Sequence, residues 1–343
     1  MRTLLGSLVA SLTAVAAAES PLLQGACYSP FHLDAYPLLP SETLNATALE
    51  AAIHGDFKLM APYVSTVRTY YSNYYGINIA PIAAAHNVPL YLGVYMVNEP
   101  WYELQIQAAV DSAVDFPETV AAVLVGNENV APHGAFAPSY ITDEIERVRS
   151  AVANRTNGSV DVVVGTVQRV TEWLDPAIRS EMLALADACD IIGVNIYPFF
   201  DNGYDGADPM GLVTALWDQM LTIYPAEKLR LTETGFATGG TPPTIAPRVT
   251  PSLDNAVSYY NALRDWAPSR GGGEVFWYSF FDLRADDMTQ TEALEKHFGF
   301  YFANGTSKTE KVGEVAPEAA PETASDTATD IAPNNEAHRC SDN

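Results

Sequence analysis

The sequence predicts a single (β/α)8 barrel, and three observations carry that prediction. Strand-like and helical runs alternate eight times between residues 25 and 302, the number such a barrel requires. The run at 120–128, VAAVLVGNE, is apolar without alternation until its last residues, as in a parallel strand buried on both faces. No glycine-rich phosphate turn follows the first strand, where an open doubly wound sheet would carry one. The cluster Gly271-Gly272-Gly273 precedes a strand instead and reads as a loop returning a helix to the sheet.

Taken in order, GACYSPF at 25–31 is a short strand closed by Pro30, and 49–59 is a helix with Leu49, Ile53 and Phe57 on one face. A strand over 64–71, a helix over 79–86, a strand over 88–96 and a helix over 101–114 follow. After the strand at 120–128, residues 139–152 place Ile141, Ile145, Val148 and Val152 at three- and four-residue steps, an amphipathic helix. The same grammar predicts strands at 160–167, 190–197, 228–233 and 274–281, with helices at 176–186, 211–223 and 252–266. A short closing helix over 289–295 and an apolar piece over 298–302 complete the domain, assigned to 19–310.

The ends of the chain differ from its middle. Arg2, an apolar run through Leu4, Leu5, Leu8 and Val9, and then Ala16-Ala17-Ala18 read as a secretory signal over 1–18. The alternative is an apolar first helix, while the run is too short to span a bilayer. Residues 311–343 are rich in Ala, Pro, Glu and Thr and carry seven acids against Lys311 and Arg339. Such a segment buries too little to offset its ordering and is expected to be a disordered tail. Sequons at Asn45, Asn154, Asn157 and Asn304 agree with export, although Asn154 and Asn157 lie too close for both to be glycosylated easily. The expected location is extracellular or in a cell wall, without a transmembrane segment.

Of 343 residues, 18 are basic and 42 acidic, giving a net charge of −24, of which the tail supplies −5 and the remainder −19. That charge repels polyanions, so nucleic acid is not an expected partner, whereas neutral sugars are unpenalised and 18 Tyr, 13 Phe and 5 Trp are available to hold them. Three cysteines are too few for a disulfide scaffold. Cys27 and Cys189 read as buried thiols and Cys340 as free or intermolecular, on an otherwise monomeric protein. No HExxH pair, Cys-His cluster or GxSxG elbow occurs, so neither a metal, a cofactor nor a serine triad is expected.

In a barrel the chemistry sits at the carboxyl ends of the strands. Those ends read Tyr28 and Ser29; Arg68 and Tyr70; Tyr95; Asn127 and Glu128; Gln168; Asn195, Tyr197 and Phe199; Glu233; and Phe280, Phe281 and Asp282. Two glutamates, Glu128 and Glu233, thus stand among amides and aromatics. Cleaving an acetal with retention needs one protonated carboxyl and one carboxylate about 5 to 5.5 Å apart. The plainer reading of either glutamate is a solvent-facing or salt-bridged group.

Val125-Gly126-Asn127-Glu128, Leu231-Thr232-Glu233-Thr234-Gly235, Arg68-Thr69-Tyr70, the Tyr28-Ser29-Pro30 opening, Gly165-Thr166-Val167 and His297-Phe298-Gly299 occur in that family's order and resemble glycoside hydrolase family 17. The resemblance covers most of 25–302. It implies a retaining, endo-acting β-1,3-glucanase, with Glu128 matching the acid/base and Glu233 the nucleophile. Asn127 would bond the sugar 2-hydroxyl and Tyr197 would hold Glu233. Tyr28, Arg68 and Tyr70 would bind substrate, and Phe199 and Phe281 would offer flat faces to sugar rings, whereas Trp277 fits core packing better. Ser279 and Gln168 stand where acids are usual in the family. Alternatives within this reading are a β-1,3-glucan glucosyltransferase and a non-catalytic glucan-binding wall protein.

Overall fold

A computed structural model describes residues 23–309 except 40, 271–273 and 289–291, with 268–270 described by their backbone alone. Eight parallel strands close into a barrel in sequence order: β1 (Leu23–Tyr28), β2 (Val64–Thr69), β3 (Leu90–Val94), β4 (Val120–Asn127), β5 (Val164–Arg169), β6 (Ile191–Asn195), β7 (Leu229–Thr234) and β8 (Val275–Trp277). The expected (β/α)8 fold is therefore the observed one. Around it run α1 (Ala46–Met60), α2 (Ile79–Ala85), α3 (Tyr102–Asp115), α4 (Pro138–Thr156), α5 (Val170–Leu174), α6 (Arg179–Ala188), α7 (Gly211–Leu221) and α8 (Leu253–Arg270).

The absence of alternation in β4 has a direct cause. Val123 and Val125 pack outward into the core between strands and helices, whereas Ala122 and Leu124 join Cys27, Tyr91, Val167, Ile191 and Phe276 in a second apolar cluster. Because successive side chains of a strand point to opposite faces, both faces of β4 are filled. The apolar face of α4 is equally well explained: Ile141, Ile145, Val148 and Val152 are all fully buried. Asn157 ends that helix at φ +50°, a left-handed turn that Asn tolerates better than most residues.

Departures lie at the element ends. The helix expected over 176–186 is α6, shifted to Arg179–Ala188, and the short α5 before it was not anticipated; Trp173 of α5 is buried and its indole N–H donates to the Gly193 carbonyl at 2.9 Å. A hairpin of Asn73–Tyr74 and Ile77–Asn78 was not anticipated. The expected strand over 274–281 stops at Trp277, because Ser279 N–H donates to the Phe298 carbonyl and Asp282 N–H to the Tyr301 carbonyl. The segment following β8 is thereby drawn onto the closing apolar piece. The short helix expected over 289–295 is a 3-10 turn at Ala293–His297. The expected leader at 1–18, the tail at 311–343, Cys340 and the triple glycine lie outside the described residues, among which no helix is long and apolar enough to cross a membrane.

Candidate active site

At the end of β4 the backbone turns sharply. Gly126 has φ +81°, and a Cβ there would meet Asn129 Oδ1 at 2.7 Å and Met96 Sδ at 2.9 Å, so glycine is required both for conformation and for space. Glu128 itself has φ +51°, a conformation that costs a non-glycine residue on the order of 1–3 kcal/mol. It is held by its backbone N–H donating to the Val167 carbonyl at 2.9 Å. On β7, Gly235 lets the chain pass the Tyr278 carbonyl, to which a Cβ would come within 2.1 Å. Both glutamates are thus delivered to the same end of the barrel.

Glu233 is nearly buried, at 5% exposure, and every group that touches its carboxylate is a donor. Arg68 Nη1 and Tyr70 OH donate to Oε1 at 2.5 and 2.8 Å, and Tyr197 OH donates to Oε2 at 2.8 Å. These partners suit an ionised, acceptor-only carboxylate. Arg68 lies below it, 1% exposed. Burial works most strongly against the guanidinium charge, but Glu233, Tyr70 and Cys27 together more than offset it and raise its proton affinity. Tyr197 is kept protonated far above the ordinary phenol range by burial first and then by the Glu233 charge. Burial likewise pushes the Cys27 thiol up to about 12, so beneath Arg68 it remains a neutral packing group.

Glu128 sits in a different field. Asn195 Nδ2 donates to its Oε1 at 2.8 Å, and Arg169 Nε forms an ion pair with its Oε2 at 3.0 Å. Its carboxyl is nevertheless pushed above the usual carboxylate range, by burial first and by the Glu233 charge second, against the pull of Asn195, Arg169 and Arg68. One network joins the two acids: Arg68 Nη2 donates to Asn127 Oδ1 at 2.7 Å, and Asn195 Nδ2 approaches the same oxygen at 3.3 Å. Thr232 Oγ1 donates to Asn195 Oδ1 at 2.9 Å and fixes which way that amide points. One carboxyl clasped by three donors and one pushed toward its protonated form are the asymmetry that nucleophile and acid roles require.

Both glutamates line a cavity of about 1180 Å³, together with Asn127, Tyr70 and Tyr197. Arg68, expected to bind substrate, is not among the residues lining that cavity and bonds Glu233 and Asn127 instead. Three expected binding residues need correction. Tyr28 is 1% exposed and its hydroxyl donates to Asp56 Oδ2 at 2.7 Å, so its ring faces α1. Phe199 is fully buried among Phe200, Phe236 and Phe298. Phe281, 5% exposed, stacks on His32 with ring centroids 4.1 Å apart. All three are core groups. Trp277 also packs, stacked on Phe300.

The aromatic lining is supplied instead by Phe31, Tyr71, Tyr95, Phe200, Tyr278 and Phe298. Gln168 and Ser279, where the resemblance would place acids, each have a local explanation. Gln168 is fully buried; its Oε1 accepts from the N–H groups of Asn129 and Val130, and its Nε2 donates to Asn129 Oδ1 and Thr166 Oγ1. A carboxylate could accept the first pair but could not donate the second. Ser279 Oγ donates to the Phe281 carbonyl at 2.6 Å. Three further carboxyls, Asp175, Asp201 and Glu295, line the cavity; Glu295 reaches it from the 3-10 turn and is pushed upward by burial, then by Glu292 and Glu233. No strand period points to Glu295, since it lies in a turn after the barrel has closed.

Fold and site together define a barrel carbohydrate-cleaving enzyme with a paired-carboxylate centre. Residues 25–299 match the sequence model of the BtgE/BtgC glycoside hydrolase domain, and the chain belongs to that family. A probable glucan endo-1,3-beta-glucosidase of Aspergillus clavatus is 25% identical over 62% of this chain and 48% of its own length. The chain thus spans about half the length of that relative. A glucan 1,3-beta-glucosidase of Schizosaccharomyces pombe is 24% identical over 74% of this chain and 78% of its own. Among solved structures, an endo-laminarinase from Formosa Hel1_33_131 superposes with a TM-score of 0.67 at 17% identity, covering 83% of this chain and 84% of that one. A Rhizomucor miehei beta-1,3-glucanosyltransferase with laminaritriose superposes with a TM-score of 0.63 at 18% identity, over 84% and 96%.

Proposed function

We propose that this glycoside hydrolase cleaves β-1,3-glucan with net retention, as a member of glycoside hydrolase family 17, with Glu233 as nucleophile and Glu128 as acid/base. The opposed environments of the two glutamates, one clasped by three donors and one pushed toward its protonated form, carry this reading. Glu233 attacks the anomeric carbon while the Glu128 proton passes to the departing glycosidic oxygen. Water, deprotonated by Glu128, then releases the sugar. Asn127, whose Oδ1 is already engaged by Arg68 and Asn195, has its Nδ2 donors left to meet the 2-hydroxyl. The relatives' printed names support the glucan, and a cleft continuing past Glu128 supports endo action. Proton NMR of the first sugar released from laminarin should show the β-anomer; immediate α-anomer would defeat the assignment.

A second reading, transfer of the glycosyl unit to another sugar, is favoured by one feature. A smaller cavity of about 410 Å³ is lined by Glu128, Asn127 and Tyr95 and by the loop through Met96 and Glu99. Glu233 lies in the larger cavity alone, so the smaller one is on the leaving-group side. Beside it Tyr71, Tyr95 and Trp101 lie nearly parallel, with Tyr71 and Tyr95 centroids 4.5 Å apart and Trp101 37% exposed. A pyranose face stacking there, worth about 0.5–1.5 kcal/mol, would hold an acceptor. Trp101→Ala should therefore lower the ratio of transfer to hydrolysis roughly three- to tenfold at high oligosaccharide concentration, measured by product chain length. An unchanged ratio removes this reading.

Export through a cleaved leader and N-glycosylation belong to the same proposal. Asn45, Asn154, Asn157 and Asn304 are all exposed, and Asn45 Oδ1 also accepts from Ala48 N–H to cap α1. The non-catalytic alternative is not retained, because the chain belongs to a glycoside hydrolase family and both glutamates stand in one cavity.

A further inference from the structure

Arg169, the last residue of β5, ion-pairs with the proposed acid and also with a second, buried carboxyl. Its Nε lies 3.0 Å from Glu128 Oε2 and its Nη1 2.7 Å from Glu172 Oε1. Glu172, on the short helix α5, is 2% exposed, and Thr171 Oγ1 donates to its other oxygen at 3.2 Å. Arg169 lines the cavity and is partly exposed. A charged donor on the general acid is a chemical conflict. It favours the carboxylate, which the first half-reaction cannot use, and which the second requires.

We propose that Arg169, buttressed by Glu172, is a positioning residue that sets the acid strength of Glu128 and so apportions rate between glycosylation and deglycosylation. The proposal rests on the reading of Glu128 as acid/base. Its physical content is a three-membered charge relay in space: Glu172 neutralises part of the Arg169 field, and what remains acts on Glu128. Other groups around Glu128 set the background against which this operates. Glu233 opposes its ionisation while Arg68 favours it, and Asn195 bonds the ionised form. Tyr278 is held neutral by burial, then by Glu233 and other neighbours. His133, Asp175, Asp201 and Glu295 line the larger cavity and Glu99 the smaller. None of these touches Arg169 in the way Glu172 does.

The arrangement makes two substitutions differ in sign. In Arg169→Gln the ionised form of Glu128 loses a charged partner, so Glu128 holds its proton to higher pH. In Glu172→Gln the Arg169 charge is left uncompensated and bears more fully on Glu128, which loses its proton at lower pH. For kcat/KM on a laminari-oligosaccharide, whose alkaline limb reports the free enzyme's acid, Arg169→Gln should move that limb up by about one pH unit. Glu172→Gln should move it down by roughly half a unit. Arg169→Lys keeps a charge but not the planar fork, and should shift the limb less than Arg169→Gln.

A role limited to packing would lower activity without moving the limb in opposite directions. An unmoved limb in Arg169→Gln, or shifts of the same sign in Arg169→Gln and Glu172→Gln, overturns the proposal. Azide rescue of Glu128→Ala separates this from failure of the underlying reading. If rescue occurs and the limb is unmoved, only the role of Arg169 falls. If rescue is absent, the assignment of Glu128 falls and takes this proposal with it.

Discussion

Glu233→Ala should lose turnover of laminarin by on the order of 10⁴-fold or more, because no covalent intermediate can form without the nucleophile. The same substitution strips Arg68 of its buried partner. An uncompensated buried charge costs about 3–5 kcal/mol, so thermal unfolding of the variant must be measured alongside its kinetics. Glu233→Gln keeps the side-chain volume and should show the same kinetic loss with a smaller fall in stability. The donors that now hold the carboxylate remain in Glu233→Ala: Arg68 Nη1, Tyr70 OH and Tyr197 OH all converge on the vacated space. A small anion should be drawn there. Azide with an activated β-glucoside should then restore turnover and give the α-glucosyl azide, by one direct displacement from the face Glu233 occupied. A folded variant that azide does not rescue, or one that keeps near-normal activity on laminarin, removes Glu233 from the nucleophile's place.

Barrel and acids were legible in the sequence for the same reason. A doubly buried parallel strand has a strong signature, and the residue that breaks its apolar run lies at its end, where a barrel gathers chemistry. Glu128 and Glu233 break such runs. The aromatic residues were less legible because a strand's direction reverses at each residue and bends where the strand ends. Tyr28 points to Asp56 on α1, while Arg68, its neighbour across one residue of register, points inward. In the Pro198–Phe200 turn the difference is a single position: Phe200 lines the cavity and Phe199 lies beneath it. Arg169 and Glu172 were missed for another reason. The sequence pattern begins the following helix at residue 176, so the five-residue α5 that brings Glu172 beneath Arg169 has no place in it.

Glu128→Ala should divide its effect by substrate. On laminarin the departing sugar needs a proton, and removing a general acid costs on the order of 10²–10⁴-fold. On an aryl glucoside whose leaving group departs as a stable anion, glycosylation should be far less impaired and deglycosylation should become limiting. In the proposed mechanism Glu128 changes role between the two steps. While Glu233 is ionised, burial and that neighbouring charge keep the Glu128 carboxyl raised; once Glu233 is esterified its charge is gone, and Glu128 becomes a stronger acid and hence the ionised base. With a protonated acid and an ionised nucleophile both needed in the free enzyme, the wild-type kcat/KM profile should be bell-shaped. Azide added to Glu128→Ala has no carboxylate to repel it, and Arg169 and Asn195, which bond Glu128 in the intact protein, remain to hold it. It should attack the glycosyl intermediate from the side water would use and release the β-glucosyl azide, opposite in configuration to the product from Glu233→Ala. Obtaining the two anomers from the two variants would fix role and geometry together. If the aryl substrate is cleaved as slowly as laminarin and azide gives no β product, Glu128 is not the acid/base, whatever its place in the cavity.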